Sequence, residues 1–539
     1  KEIGFDESNI FQVHMGILED KSFIGEIQRR IEEDFFNAES AVKTVIEVWE
    51  RRFSESFSPQ VQVRAADVLD VGKRILANLC IDETLCLFRT EIPVETMGKN
   101  VIFVTRVLLP SVTAFIDKKK IKGIVAELGN KASHSAVIAK SLGLPAVFGV
   151  ANALKNIKNG DEVILDGSSG TVFVHPDPEV KNEYETIRKD FSLYQKRLGK
   201  LVDEPSVTKE GREIELYANI GALADAETAV KNRAKGVGLY RTEMPFIIRN
   251  EFPAEDLQYA IYKKVIEKME GASVSIRTLD LGGDKILSYL PMPKEENPNL
   301  GWRAIRVFID HPDLFKVQLR AILRASVHGK LKIIIPMISD LSEVRITKKI
   351  FAEAKRELTK EGVAFDKKIE LGIMIEVPSA VILAEHLIKE VDFFSVGTND
   401  LIQYTLAVDR NSEKVSKYFE PLNPSILLML KSLLSVARKA GKDITICGEV
   451  AGDPLYIPIL VGLGYQKLSL NPTAINLVKD LIRGISFKDS ERLAALALEK
   501  KTAMDVKKLL ERFLSRFEKL YRIYCHPLER GRKSKYRFL

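Results

Sequence analysis

An α/β protein of several domains, closing in a (β/α)8 barrel, is the fold class this sequence predicts. Three observations lead there. Up to about residue 85 apolar residues recur at three and four positions, and beyond it they gather in short continuous runs. From about 201 to 500, eight strand-like runs alternate with mostly helical connections, as a closed parallel barrel requires. The chain has 539 residues, 45% of them apolar and 29% charged, enough for two or three cores of ordinary soluble composition.

Residues 1–85 form the first unit. Phe23-Ile-Gly-Glu-Ile-Gln-Arg-Arg-Ile31, Ala41-Val-Lys-Thr-Val-Ile-Glu-Val-Trp49 and Val68-Leu-Asp-Val-Gly-Lys-Arg-Ile-Leu76 all carry helical periodicity. Residues 1–60 hold 13 Asp/Glu against 7 Lys/Arg, although the whole chain is at +7. An acidic helical face suits a basic partner, and a plain solvated face explains the same charges. No run of 18 apolar residues occurs, so no membrane insertion is expected. No basic–aromatic interleaving points to nucleic acid. The four cysteines (Cys80, Cys86, Cys447, Cys525) lack metal-ligand spacing and fit a reducing, cytoplasmic setting.

Residues 86–178 read as a small mixed α/β domain. Its strand candidates are 101–105, 123–127, 146–150, 162–166 and 171–174, parted by Asn159-Gly160 and Gly167-Ser-Ser-Gly170. Between them lies Gly129-Asn-Lys-Ala-Ser-His-Ser-Ala-Val-Ile-Ala-Lys-Ser-Leu-Gly-Leu-Pro-Ala-Val-Phe-Gly149. Ser133 is a natural N-cap, which puts His134 in a first helical turn beside unpaired N–H groups. An imidazole there is suited to carrying a phosphoryl group; an ordinary exposed histidine is the bland alternative. Residues 179–200, polar and without Pro, are expected to form a helical linker, and residues 501–539 a helical and then basic tail.

The eight barrel strands are expected at 213–219, 236–241, 273–279, 332–337, 370–376, 392–397, 444–448 and 467–471. Chemistry in such barrels sits at the C-terminal strand ends. Read in order, those ends offer Asn219, Arg241, Arg277, Glu376, Asn399 with Asp400, Arg410 ten residues on, and Cys447. Arginines fork onto phosphate and carboxylate. Glu376 and Asp400 can share a hard divalent cation such as Mg2+, with substrate oxygens completing its shell. Cys447 is a candidate proton donor. Internal salt bridges would account for any single member of this set, and a small buried core residue for Cys447. Together they describe a site for a small, doubly anionic, metal-chelating molecule.

Two stretches resemble a known family. Gly129…Ser133-His134-Ser135-Ala136…Ala139-Lys140…Gly143…Pro145-Ala146 is similar to the phosphohistidine signature of enzymes that use phosphoenolpyruvate. Phe393-Phe-Ser-Val-Gly-Thr-Asn-Asp-Leu-Ile-Gln-Tyr-Thr-Leu-Ala-Val-Asp-Arg410 is similar to the second signature of the enzymes I of bacterial phosphotransferase systems. The resemblance runs from about residue 14 to 500. It implies that His134 is phosphorylated by phosphoenolpyruvate and passes the group to a histidine of HPr or of its nitrogen-type homologue. Arg241, Arg277 and Arg410 would bind phosphoenolpyruvate with Asn399 and the backbone at Asp400. Glu376 and Asp400 would hold Mg2+, and Cys447 would protonate the enolate to pyruvate. Residues 1–85 would be an incomplete carrier-docking subdomain, 86–178 a swivelling phosphohistidine domain, 179–200 the linker and 201–500 the phosphoenolpyruvate-binding barrel, through which two copies pair.

The wording Thr242-Glu-Met-Pro-Phe246 and Cys447-Gly-Glu-Val-Ala-Gly-Asp-Pro454 is closer to the nitrogen-related branch. That branch usually carries a GAF domain upstream, so the chain is expected to be N-terminally truncated. Ala132 stands where the pattern commonly has Thr or Asn, which predicts a weaker hold on the phosphohistidine. The rival readings are a phosphoenolpyruvate-sensing protein without turnover and a fragment of a phosphoenolpyruvate synthase or pyruvate phosphate dikinase.

Overall fold

The computed structural model describes residues 21–54, 100–108, 120–128, 144–167, 169–247, 251–282, 295–410 and 414–516, with isolated residues between them. The helices Lys21–Glu32 and Ala38–Ser54 pack through Phe23, Ile27, Val42, Val45 and Ile46, joined by Val68 and Leu76. Trp49 stands edge-on to Phe23 at 5.2 Å, and its indole N–H donates to Glu26 at 2.9 Å. These apolar positions recur at three and four residues, which puts them on one face.

Strands β1 (Val101–Thr105), β2 (Ile121–Ala126) and β3 (Ala146–Phe148) make a parallel sheet in that order. Strands β4 (Val163–Asp166) and β5 (Thr171–Val174) form an antiparallel hairpin. Compared with the runs read from sequence, β2 begins two residues early and β3 stops two residues early, because backbone pairing rather than apolar content ends a strand. The chain clusters into two compact units, residues 1–189 with 526–539, and residues 190–525.

In the second unit, β6 (Glu215–Ile220), β7 (Gly236–Arg241), β8 (Ser273–Arg277), β9 (Leu331–Ile335), β10 (Glu370–Ile375), β11 (Phe393–Val396), β12 (Asp443–Ile446) and β13 (Lys467–Leu470) close into a barrel. Every neighbouring pair is parallel, and β13 pairs with β6 to complete the ring. Strands such as Leu331-Lys-Ile-Ile-Ile335 are nearly continuous in β-branched residues because both faces are covered. Leu239, Ile334, Met374, Phe393 and Cys447 form one small buried cluster, apart from the large core beneath the helices. The eight strands predicted from sequence are all present. Six of them, 273–279, 332–337, 370–376, 392–397, 444–448 and 467–471, end one or two residues earlier than expected, so Glu376 and Cys447 stand just beyond their strands.

The helix Pro178–Lys200 ends against the second unit's own helix Ile475–Gly484. Asp480, buried, accepts from Tyr194 Oη at 3.0 Å and from Arg197 Nη2 at 2.7 Å. Lys479 Nζ donates to the carbonyls of Leu201 and Val202 at 3.2 and 2.6 Å. Asp480→Ala leaves the Tyr194 hydroxyl without its acceptor. It is expected to cost about 2 kcal/mol, read as a lower urea midpoint for the barrel's unfolding transition.

Candidate active site

The C-terminal mouth of the barrel gathers carboxylates and guanidinium groups that the sequence scatters over more than 100 positions. Arg277, the last residue of β8, is buried and paired with Glu243, and lies 3.3 Å from Asp280. Arg303 grips Asp280 with both arms, Nε to Oδ1 at 2.8 Å and Nη2 to Oδ2 at 2.9 Å. The same guanidinium donates to Asp400 at 3.2 Å and to the Tyr404 hydroxyl at 3.0 Å. Glu376 follows β10 and is 1% exposed; its Oε1 accepts the backbone N–H of Met337 at 2.7 Å. Buried charges of this kind persist only where opposite charges and hydrogen bonds answer them.

The electrostatics show which charges are answered. Burial alone would depress the Arg277 guanidinium, yet Glu243, Asp280 and Glu376 hold it above its ordinary range. Arg303 behaves likewise: burial opposes its charge, and Asp280 and Asp400 more than restore it. Among the described residues no ion pair joins Glu376 to an arginine, and the pull of Arg277 and Arg303 on it is outweighed. Burial first, and then the Asp400 and Asp280 carboxylates, push it up to about 8. Arg277 Nε is buried with no hydrogen-bond partner. The site therefore keeps a donor unused and a carboxyl short of positive charge.

Asn399 and Asp400, expected at the end of the sixth strand, stand instead in the first turn of the helix Thr398–Leu406, because β11 stops at Val396. The helix N-terminus thereby faces the same mouth, favourable to anions. Asn399 Oδ1 accepts the Glu449 backbone N–H at 3.0 Å. Gly397 precedes this helix, and a Cβ there would sit 2.6 Å from Glu376 Oε2. The absence of a side chain leaves that carboxyl its room.

Cys447 lies one residue beyond β12 and is 1% exposed. Burial pushes its thiol up to about 11, against a hydrogen bond from Ser395 and the pull of Arg277 and Arg241. Asn219, near the end of β6, donates to the Cys447 carbonyl at 2.8 Å and accepts from Ser469 Oγ at 2.6 Å. Arg241 closes β7 beside Arg277 in register, with an exposed side chain. Arg410 is half-buried, and its backbone N–H donates to Gln403 at 3.2 Å. No hydrogen bond or ion pair joins its guanidinium to the cluster among the described residues. His134, with Ala132 and Ser133, lies outside the described residues.

Asp280, Arg303, Glu243 and Ser395 belong to this constellation and escaped the sequence reading. Asp280 stood in plain view three residues after Arg277. Arg303 sits in the long connection after β8, where its place at the mouth had no local signal.

The chain is similar to known proteins along most of its length. The PEP-utilising enzyme families match in three parts: N-terminal over residues 1–64, mobile domain over 97–170 and PEP-binding domain over 195–487. The chain is 42% identical to a phosphoenolpyruvate-protein phosphotransferase of Listeria innocua over 514 residues, covering 95% of this chain and 88% of that one. It is 42% identical to that of Bacillus subtilis over 507 residues, covering 94% and 88%. An NMR solution structure of Enzyme I is similar at 29% identity with a TM-score of 0.28, over 35% of this chain and 73% of that one. The chain belongs to the PEP-utilising enzymes and, within them, to the phosphoenolpyruvate-protein phosphotransferases.

Proposed function

We propose that this enzyme moves the phosphoryl group of phosphoenolpyruvate onto its own His134, releases pyruvate, and passes the group to a histidine of an HPr-type carrier, the first step of a phosphotransferase system. The observation that carries this reading is the mouth of the barrel. There Arg277, Arg303 and a helix N-terminus supply positive charge, while Glu376 and Asp400 supply two buried carboxylates.

The residues divide the work. Arg277 offers its unpartnered Nε to a substrate oxygen, and Arg241 and Arg410 supply further guanidinium groups for phosphate and carboxylate. Asn399 and the N–H at Asp400 add neutral donors. Glu243 and Asp280 fix Arg277 from behind. His134 is the nucleophile, and its in-line attack needs positioning and charge neutralisation more than covalent assistance. Cys447 is kept protonated by burial, so it holds a proton ready for the enolate carbon.

Glu376 and Asp400 fit Mg2+. One carboxyl is short of positive charge, the other is its near neighbour, and Gly397 leaves space beside the first. Among the described residues no cluster of three metal-ligating side chains occurs, and Glu376 and Asp400 would hold the ion with substrate oxygens completing its shell. Held by these two carboxylates, Mg2+ would supply positive charge to offset that on the phosphoryl and enolate oxygens.

Residues 1–85 serve as the carrier-docking unit, 86–178 as the swivelling histidine domain, 179–200 as its linker, and 201–500 as the barrel, through which two copies pair. The acceptor is HPr or its nitrogen-type homologue, the second suggested by the nitrogen-like wording at 242–246 and 447–454. No helix among the described residues is long and apolar enough to cross a membrane, and a cytoplasmic setting follows from the carrier.

The test is direct. Incubation with phosphoenolpyruvate and Mg2+, without ATP, is expected to add one phosphoryl group at His134 and release pyruvate, read by mass spectrometry. ATP-dependent labelling would overturn the reading.

Glu376 gives a pH prediction. A carboxyl raised in the fold binds a proton that the unfolded chain has already lost, so between its ordinary range and about 8 the metal-free fold loses stability as pH rises. Glu376→Gln is expected to flatten that slope in urea titrations. Mg2+ must displace the same proton, so binding near pH 7 is expected to release up to about one proton per site, and Glu376→Gln to abolish the release.

A further inference from the structure

We propose that Ser395 is a positioning residue for the proton-transfer half of the reaction: its hydroxyl holds Cys447 Sγ and stabilises the thiolate that remains once the thiol proton has gone to carbon. This rests on the reading of Cys447 as the acid.

Ser395 lies mid-way along β11, 1% exposed, in register with Met374 on one side and Thr445 on the other. Its Oγ–H donates to Cys447 Sγ at 3.2 Å. The thiol in turn donates to the Val396 carbonyl at 3.2 Å, the acceptor that also takes the Cys447 backbone N–H at 3.0 Å. Asn219 pins the Cys447 carbonyl from β6, the next strand but one. The backbone of Cys447 is therefore fixed at both polar atoms, and rotation of its side chain is the freedom left to swing the S–H from Val396 toward a substrate. A hydroxyl on the neighbouring strand can follow the sulfur through that rotation.

A strand serine facing an apolar layer is costly unless it bonds something. Leu239, Ile334, Met374 and Phe393 share one small buried cluster with Cys447, and none offers a conventional hydrogen bond to sulfur. Within this dry layer a thiolate needs a close donor, and Ser395 is the hydroxyl that touches it. In the step itself the enolate pair at C3 forms a new C–H bond, the S–H bond breaks, and its electron pair stays on Sγ. The enolate oxygen becomes the keto oxygen of pyruvate. Water returns a proton to the thiolate after pyruvate leaves.

The experiment uses the full chain and four variants: Ser395→Ala, Ser395→Thr, Ser395→Val and Cys447→Ala. Two quantities are read, exchange of pyruvate methyl protons into D2O with Mg2+, and kcat and KM for phosphoenolpyruvate. Ser395→Ala is expected to slow exchange and pyruvate formation roughly ten- to hundredfold, with KM within about twofold. Thr and Val share one shape, so their ratio isolates the hydroxyl even where Ala fails to fold. Ser395→Thr is expected to exchange at least about tenfold faster than Ser395→Val. Equal rates for Thr and Val, or wild-type exchange in Ser395→Ala, would overturn the proposal while Cys447→Ala still abolishes exchange. Wild-type exchange in Cys447→Ala would instead overturn the reading beneath it, and the role of Ser395 with it.

Discussion

His134→Ala is expected to remove phosphoryl capture entirely, a loss of at least ~10⁴-fold in labelling by phosphoenolpyruvate, while leaving the barrel's chemistry on pyruvate within about twofold of wild type. The two halves separate because they use different atoms. Capture needs an imidazole in line with the phosphorus. Proton exchange at the pyruvate methyl needs Cys447 and the charged mouth, which the substitution does not touch. The described histidines offer no substitute nucleophile at that mouth. His328 bonds the Tyr259 hydroxyl at 2.9 Å, His175 lies 3.3 Å from Asp161, His311 packs on Trp302, and His386 is exposed on the helix Ala384–Glu390. Rapid-quench labelling and NMR of pyruvate in D2O, run on one preparation, check both halves. Persistent labelling would move the nucleophile elsewhere. Loss of exchange along with labelling would mean that His134 also serves the proton step.

The barrel was legible because parallel strands buried on both faces write themselves as continuous apolar runs, and β7 was placed at Gly236–Arg241 to the residue. Legibility faded where a strand hands over to a turn. Val396-Gly-Thr-Asn-Asp400 carries no signal that separates a strand end from a first helical turn, so Asn399 and Asp400 moved into the helix. Arg277, Glu376 and Cys447 could be nominated because a charged or reactive residue beside an apolar run is out of place unless something answers it. Arg303 could not. Its partners lie 23 and 97 positions away, and only closure of the barrel and folding of the 295–303 loop bring it to them. Ser395 was silent for another reason: one serine within an apolar strand has the same sequence signature whether it fills space or holds a sulfur. The phosphohistidine stretch was recognised through its motif, with periodicity contributing little.

Removing Arg303 is expected to damage both fold and turnover more than removing any exposed cation, and the sizes can be bounded. Arg303→Met keeps the volume and deletes the charge. Asp280 is 1% exposed and Asp400 6%; both would lose the Arg303 guanidinium at once, and Asp280 would be left with Arg277 at 3.3 Å. Breaking a buried pair from one side costs about 3–5 kcal/mol, because the surviving charge has neither water nor partner. Here two carboxylates survive, and a third, Glu376, is already raised by burial and then by repulsion from both. Part of that cost can be avoided by protonation. The variant is therefore expected to be least stable at high pH and to recover as pH falls and the carboxyls take up protons, the sign opposite to ordinary acid denaturation. Added Mg2+ supplies positive charge beside Glu376 and Asp400 and is expected to restore part of the loss, which it cannot do for Asp280→Ala. For turnover, Asp400 freed from Arg303 loses its orientation, and a misplaced ligand pair is expected to lower kcat/KM about 10²–10³-fold. Arg303→Lys separates charge from geometry. An ammonium keeps the sign but cannot span Asp280, Asp400 and Tyr404 together, so stability is expected to recover while most of the kinetic loss remains. Urea midpoints at pH 6 and 8.5, with and without Mg2+, and kcat/KM for phosphoenolpyruvate decide the matter. A lysine variant with wild-type kinetics would reduce Arg303 to a buried counter-ion.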